Sequence, residues 1–341
     1  KYNNTDHEQY LIGQTGDLSS STTVQIIGGE TDEFIPMRAI YDFKTNNLIV
    51  GYLASDENVT TSRALNADVL IVREDQGDAA QITFGNNVHF TEVDTVYGIL
   101  ELKKSSILDE SKSIYERALY WISFPFDVKL GDVFGFGEYG KHWMIQYYDG
   151  AARAENGFWA EVETYWKWVM PNERANFTLE ANKGYLLGLD LDEMTSTSTV
   201  WGNNVQSVSL YFPSSGEVGS ITWPLTSSKN VVVQTHECTI ERDDRWYKDA
   251  NWNVIGVPSY ANWTKTVVAE TAVSQSETLV PHNVPFLYRH NTADNTLVAV
   301  ASSSVTFKSM QAYVVQYAGT IDWTTNAGPF AAPKRTPEQN G

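Results

Sequence analysis

The chain has 341 residues, of which 42% are hydrophobic and 19% are charged, so it can bury a large core and is not a disordered protein. Its formal net charge of −18 argues against nucleic acid and anionic membranes as partners, because like charges repel. No stretch of the sequence is apolar enough to insert into a bilayer. The single cysteine, Cys238, excludes an internal disulfide framework and a multi-cysteine metal site.

Short runs rich in Val, Thr, Tyr, Trp and Ile, broken by Gly, Asn, Asp and Ser, predict an all-β fold. They begin in a strand-rich N-terminal region, residues 1–115. There the alternation of Val96, Gly98, Leu100 and Leu102 indicates a strand with one buried face. The uneven intervals between runs are compatible with sandwich strands or with the rungs of a short β-roll, and the sequence leaves both open.

The stretch at residues 107–119 admits two interpretations. Asp109 could cap a helix that carries Ile114 and Tyr115 on one face. A strand that runs directly into Tyr120 is preferred, because the sequence on both sides is typical of strands.

Two apolar stretches of related sequence, residues 120–127 and 252–260, each run into a proline, Pro125 or Pro258, which belongs at a strand end because it cannot donate to a ladder. Each is followed by an aromatic segment, a further strand and a tyrosine motif. In chain order these pairs are Gln146-Tyr147-Tyr148-Asp149 and Phe286-Leu287-Tyr288-Arg289, Phe177-Thr178-Leu179 and Val305-Thr306-Phe307, and Lys183-Gly184-Tyr185 and Gln311-Ala312-Tyr313. The shared order predicts a duplicated cassette.

These cassettes resemble modules of large cell-surface and secreted proteins of Bacteroidetes bacteria, which carry a tryptophan-containing strand that ends on proline and a later K/Q-G-Y segment. The residues that carry the likeness are 121–125 with 183–185, and 252–258 with 311–313, where Ala312 stands in place of the usual glycine. The resemblance implies β-sandwich modules at a cell surface. It implies no catalytic residues.

The predicted organisation is therefore an all-β chain of tandem, related β-sandwich modules behind a roll-like or sandwich-like N-terminal region. Its boundaries are 1–115 for that region, 116–245 for the first cassette with connecting strands, 246–327 for the second cassette and 328–341 for a tail. The tail is rich in Pro and Ala, as linkers are, so further domains of the same polypeptide are expected.

Aromatic residues are densest between Tyr139 and Trp168, and exposed rings in this region could stack on the faces of sugars. The rings that form the candidate carbohydrate-binding site are Trp143, Tyr148, Trp159 and Trp166. The competing interpretation, which general experience favours, is that these rings fill the core or the contact between the cassettes.

Three acidic residues in one loop, Asp190, Asp192 and Glu193, are the candidate metal ligands, because clustered carboxylates can hold Ca²⁺. The twelve-residue calcium-loop pattern is absent, and a solvated acidic loop is the favoured interpretation. Calcium is the one possible cofactor that the sequence suggests.

Catalysis has little support, since the chain lacks a nucleophile elbow and a phosphate-binding loop. Glu161 and Glu163 flank the aromatic region, but one strand would hold them about 7 Å apart along its length and not opposed across a cleft. The expected function is a non-catalytic extracellular surface segment, an adhesin or structural display module. The alternative is a carbohydrate-binding or accessory module of a glycan-processing protein. A host or bacterial surface glycan or protein is the expected partner.

Overall fold

The structure is a computed structural model, which describes residues 2–4, 7–9, 65–75, 78–80, 89–157, 164–202, 205–216, 218, 221–222, 230–237, 249–260, 262–268, 284–300, 302–324 and 330–331. Strands dominate these residues and the helices are short, which confirms the all-β prediction. The strands predicted between residues 23 and 53, the run at 81–84 and Cys238 lie outside the described residues.

The described strands are, in chain order, β1 (Tyr2–Asn4), β2 (His7–Gln9), β3 (Leu65–Asp75), β4 (Asp78–Ala80), β5 (His89–Lys103), β6 (Leu119–Ser123), β7 (Val128–Lys129), β8 (Phe134–Gly135), β9 (Trp143–Tyr148), β10 (Trp166–Trp168), β11 (Thr178–Leu179), β12 (Gly184–Leu189), β13 (Ser207–Pro213), β14 (Ile221–Thr222), β15 (Asn230–Val233), β16 (Trp252–Gly256), β17 (Trp263–Val268), β18 (Phe286–Asn291), β19 (Thr296–Ala299), β20 (Ser304–Phe307), β21 (Ala312–Gln316), β22 (Gly319–Asp322) and β23 (Phe330–Ala331). The described α-helices are α1 (Lys104–Ile107), α2 (Ile114–Ala118) and α3 (Gly150–Asn156). Single turns of 3₁₀-helix occupy Leu130–Asp132, Arg174–Asn176 and Thr199–Trp201.

The prediction of a strand through residues 107–119 is wrong, because this segment holds α2, and β6 begins only at Leu119. The helix α2 forms here because a capping box stabilises its first turn. The Ser113 hydroxyl accepts a hydrogen bond from the Glu116 N–H at 3.2 Å, and the Glu116 carboxylate accepts one from the Ser113 N–H at 3.0 Å. Asp109, the residue proposed as a cap, instead accepts a hydrogen bond from the N–H of Ser111 at 3.1 Å and closes a turn.

The N-terminal strands form a mixed sheet with the order β4-β3-β5-β13-β8, in which β14 also pairs with β5. β3 and β5 run parallel, whereas β13 lies antiparallel to β5. The face of β5 that was predicted to be buried is buried, since it includes Val96, Leu100 and Leu102, but Ile99 on the other face is buried too, so the strand is not solvated on that side throughout. This sheet therefore includes strand β13 from the segment that connects the two cassettes.

The cassettes correspond to two units of the same strand order. Unit 1 comprises the strands between residues 119 and 189, and unit 2 those between residues 252 and 316. The main sheet of unit 1 has the order β6-β12-β9-β10, and that of unit 2 has the order β16-β21-β18-β19. An antiparallel pair accompanies each sheet. In unit 1 the pair of β7 with β11 is a separate sheet, whereas in unit 2 the pair of β17 with β20 is joined to the main sheet through β23, which lies between β18 and β17. Equivalent strands also follow one another in the same chain order.

Local details repeat with the strand order. Tyr185 in β12 and Tyr313 in β21 each accept a hydrogen bond at their hydroxyl from the backbone N–H five residues earlier, at 2.7 Å in both units. Three residues before each tyrosine the backbone is left-handed, at Asn182 with φ 63° and at Met310 with φ 64°. The two units thus share backbone conformation as well as topology. Burial raises the pKa of Tyr185 well above its usual range.

Three apolar clusters hold the described part of the chain together. The first joins the N-terminal sheet to one face of unit 1 and includes Leu100, Phe212, Ile122, Ile145 and Leu187. The second fills unit 2, where the Phe307 ring lies 4.9 Å from the ring centroids of both Trp323 and Phe330. The third lies between the units. Each sheet of the two units is therefore apolar on both faces.

Candidate functional site

The third cluster is the contact between the remaining faces of the two sheets, and we call it the seam. Unit 1 contributes three half-buried rings and unit 2 contributes a buried layer from β16, β18 and β21. Its members include Trp121, Tyr148 and Trp166 from unit 1 and Trp252, Val254, Phe286, Tyr288, Ala312 and Val314 from unit 2. Because strand side chains alternate between faces, the residues next to these in sequence supply the separate cores of the two units.

Backbone hydrogen bonds join the units in a reciprocal way. The Ser123 N–H at the end of β6 donates to the Met310 carbonyl at 2.9 Å, and the Gly256 N–H at the end of β16 donates to the Asn182 carbonyl, also at 2.9 Å. Ser123 and Gly256 are equivalent positions, as are Met310 and Asn182. The seam is thus self-complementary, in the manner of a twofold interface between two copies of one subunit.

Small residues permit this close approach. A Cβ added to Gly256 would lie 2.5 Å from the Cβ of Ser123, and one added to Gly184 would lie 2.6 Å from the Cβ of Ala312 and also clash with Val254. The Ser123 hydroxyl donates to the Gln311 carbonyl at 2.8 Å and occupies the space that Gly256 leaves open. The two repeats therefore differ at this position for a steric reason.

The aromatic side chains of the seam contact one another in definite geometries. The Trp121 ring stacks on His290 with centroids 4.8 Å apart and meets Trp166 edge-on at 5.3 Å. Trp166 in turn lies 5.1 Å from Tyr148. Such contacts add about 0.5–1.5 kcal/mol per pair beyond the burial of apolar area.

A buried cation crosses the seam from α3. Arg153 is 4% exposed, its guanidinium lies 4.3 Å from the centroid of the Trp252 ring, and its Nη1 donates to the Tyr148 hydroxyl at 3.3 Å. Burial raises the pKa of Tyr148 to about 12, so the phenol is neutral near pH 7. The Asp149 carboxylate caps α3 and lies 2.6 Å from the Lys167 ammonium, which orients the helix that carries Arg153.

The candidate sugar-binding rings fall into different environments. Trp143 is 2% exposed, lies in the first core and donates its indole N–H to the Phe136 carbonyl at 3.2 Å, so it offers no free ring face. Tyr148 and Trp166 belong to the seam, and Trp159 lies outside the described residues. The ring that sequence reasoning missed is Trp168, which is 40% exposed on β10. Its signal was the alternation of tryptophans along that strand.

The three candidate metal ligands are exposed, and the carboxylates of Asp190 and Glu193 have local partners. The Asp190 carboxylate accepts hydrogen bonds from the N–H groups of Asp192 and Glu193, at 3.0 and 3.4 Å, and so closes its own turn. The Glu193 carboxylate lies 3.6 Å from the Lys141 ammonium. Within the described ranges, no three His, Cys, Asp or Glu side chains converge in a way that could hold a metal ion. Glu161 and Glu163 lie outside those ranges.

No helix among the described residues is long and apolar enough to cross a membrane. Comparison of the chain with protein-family models, with curated proteins and with solved structures found no match.

Proposed function

We propose that the chain is a non-catalytic extracellular module that displays or spaces other parts of a surface protein, as an adhesin or structural segment, and that it does so with two tandem related β-sandwich units. The observation that carries the proposal is the reciprocal seam. The resemblance of the cassettes to bacterial surface modules supports the location.

A display module must hold its parts at a fixed distance and angle. Two units on a flexible linker move freely, whereas a large apolar interface suppresses relative motion. Here the seam combines the paired hydrogen bonds of Ser123 and Gly256 with a buried aromatic layer, and Arg153 reaches across it. The seam also covers the ends of β6 and β16, which are edge strands of their sheets and would otherwise offer free backbone to other chains.

Pulling on single molecules tethered at both ends tests the mechanical part of this proposal. We expect units 1 and 2 to unfold in one event that releases roughly 700 Å of chain, from about 3.5 Å for each extended residue. Gly184→Val should split the event in two by wedging the seam, and Thr320→Val, at an exposed position of β22, should not. Two independent events in the unmodified chain would contradict the proposal, as would turnover of any glycan or peptide substrate.

Carbohydrate binding is the second candidate, and Trp168 is the observation that favours it. Its ring lies over Gly188, where an added Cβ would come within 2.8 Å of the indole, and 40% of the residue remains exposed. Met170, two residues after Trp168 in the chain, is exposed as well. A planar ring with one part exposed can stack on a pyranose.

A glycan array, run with and without Ca²⁺, tests this second candidate. We expect any true ligand to be lost with Trp168→Ala and kept with Phe134→Ala, which removes another exposed ring, from β8 in the N-terminal sheet. A signal that survives Trp168→Ala would contradict a site on β10. Dependence on Ca²⁺ that disappears with Asp190→Asn would support the acidic loop as a metal site.

A further inference from the structure

The stacked pair of Trp121 and His290 contains two buried polar atoms that lack a partner. The Trp121 indole N–H, a donor, and the His290 Nδ1 have no hydrogen bond. The other ring nitrogen, Nε2, lies 2.8 Å from the Asn295 Oδ1 and donates to it. His290 is therefore held as the neutral tautomer with its proton on Nε2, and Nδ1 carries a buried lone pair.

Protonation would disturb this arrangement in three ways. It would place a charged N–H at Nδ1, where no acceptor is in reach. The new donor would lie within a ring stack whose other member, Trp121, already has an unpaired donor. A charge would also be removed from water at the contact between two units, which is unfavourable without a partner.

We propose that His290 is an acid-sensitive latch of the seam, whose neutral ring holds unit 2 against Trp121 and whose protonated ring releases it. The expected consequence is that the two units separate, or move more freely, in mildly acidic surroundings. This property goes beyond the display function, since a spacer needs rigidity but not dependence on pH.

The charged groups around His290 do not cancel this effect. On its own hairpin, Asp294 is the carboxylate that acts on the ring, but it already accepts hydrogen bonds from the N–H and hydroxyl of Thr296. Arg289 is exposed on the opposite side of β18. The unit 1 group that stacks on His290 is the Trp121 ring, which is uncharged.

The remaining charges on neighbouring elements have partners of their own. On β10, Lys167 pairs with Asp149. On α2, whose Ser113 hydroxyl donates to the Thr292 carbonyl of the hairpin, Glu116 is held in the capping box, and Arg117 donates to a backbone carbonyl.

The direction of the pH dependence follows from burial. Burial lowers the pKa of His290 below its ordinary value near 6.5. A proton therefore binds the opened form better, so the full stability of the seam is present above about pH 6.5 and declines as the pH falls below it. The ratio of opened to closed seam can rise by up to about thirtyfold at pH 5, the limit set by an ordinary histidine pKa in the opened form.

Amide hydrogen exchange on the full chain tests the latch. The readout is the protection of the Ser123 and Gly256 amides at pH 7.5 and pH 5, corrected for the intrinsic effect of pH on exchange. We expect protection to fall at pH 5 in the unmodified chain and to stay nearly constant in His290→Phe, which keeps a stacked ring but cannot be protonated. His290→Gln, which also cannot be protonated, should show the same constant protection. It replaces His290→Phe in this test if the phenylalanine variant folds poorly.

His236 provides the matched control. It is half-buried beside Gly150 of α3, and burial lowers its pKa too, while a hydrogen bond with the Asn253 side chain and the Asp149 carboxylate oppose that shift. Unlike the Nδ1 of His290, its ring nitrogens are not among the described buried polar atoms that lack a partner, so His236→Gln should leave most of the acid effect in place. Equal protection at both pH values in the unmodified chain would overturn the proposal. So would an acid effect that persists in His290→Phe and His290→Gln.

Discussion

The contact between Ser123 and Gly256 supports a quantitative prediction, because equivalent positions of the two units meet there. Gly256→Ala places a Cβ 2.5 Å from the Ser123 Cβ, and overpacking of this kind costs about 1–3 kcal/mol, reduced by about 0.5–1 kcal/mol because alanine restricts the unfolded chain more than glycine. We expect a net loss of about 0.5–2 kcal/mol in the free energy of unfolding.

Ser123→Gly alone should also destabilise the chain. It removes the hydrogen bond from the hydroxyl to the Gln311 carbonyl, worth about 1 kcal/mol, and adds a glycine within a strand, which costs about 0.5–1 kcal/mol. In the double variant the clash disappears, because the next atom near the new Cβ is the Asn182 Cα at 3.6 Å. The double variant should therefore lose less than the sum of the single losses, by about 1–2 kcal/mol.

Urea unfolding followed by tryptophan fluorescence measures all four free energies. The matched control is Gly256→Ala combined with Thr320→Val on β22, a pair for which additivity is expected. If the losses of Ser123→Gly and Gly256→Ala simply add, the two residues do not meet, and the seam as described does not exist.

Two further predictions concern interactions described above. Tyr185→Phe should lower the free energy of unfolding by about 1 kcal/mol, because it leaves the Glu180 N–H without its acceptor. Tyr313→Phe should cost at least as much, because the Lys308 N–H loses its acceptor and the hydroxyl also donates to the Gln311 Oε1 at 3.2 Å; a loss near zero for either variant would argue against equivalence of the units. Arg153→Lys should lower the midpoint of thermal unfolding, because an ammonium cannot both lie flat on the Trp252 ring and reach the Tyr148 hydroxyl; an unchanged midpoint would show that the planar group is dispensable.

Features set by local sequence could be predicted. The prolines after β6 and β16 and the tyrosines of β12 and β21 recur in one order, and these residues have the same roles in both units. The helix α2 is predictable in principle, since Ser113 and Glu116 have capping-box spacing, although the β-rich sequence on both sides favours a strand.

The sequence allowed a contact between the cassettes as one place for the aromatic rings, but not the faces that form the seam, because these depend on how the sheets meet after they have formed. Alternation indicates that Trp166 and Trp168 share one face of β10, but not that unit 2 covers the first and leaves the second exposed. In the same way, the sequence around Trp143 does not reveal that its indole lies in the core that unit 1 shares with the N-terminal sheet. Burial of a ring is a property of the whole fold.

The most direct test of the locked two-unit arrangement is the exchange rate of the Ser123 and Gly256 amides in the intact chain at neutral pH. Both lie on edge strands and donate only across the seam, to the carbonyls of Met310 and Asn182. We predict that both amides are protected as strongly as the core amide of Ile145. Rapid exchange of both, at rates typical of exposed loops, would contradict the rigid seam and the display function proposed from it.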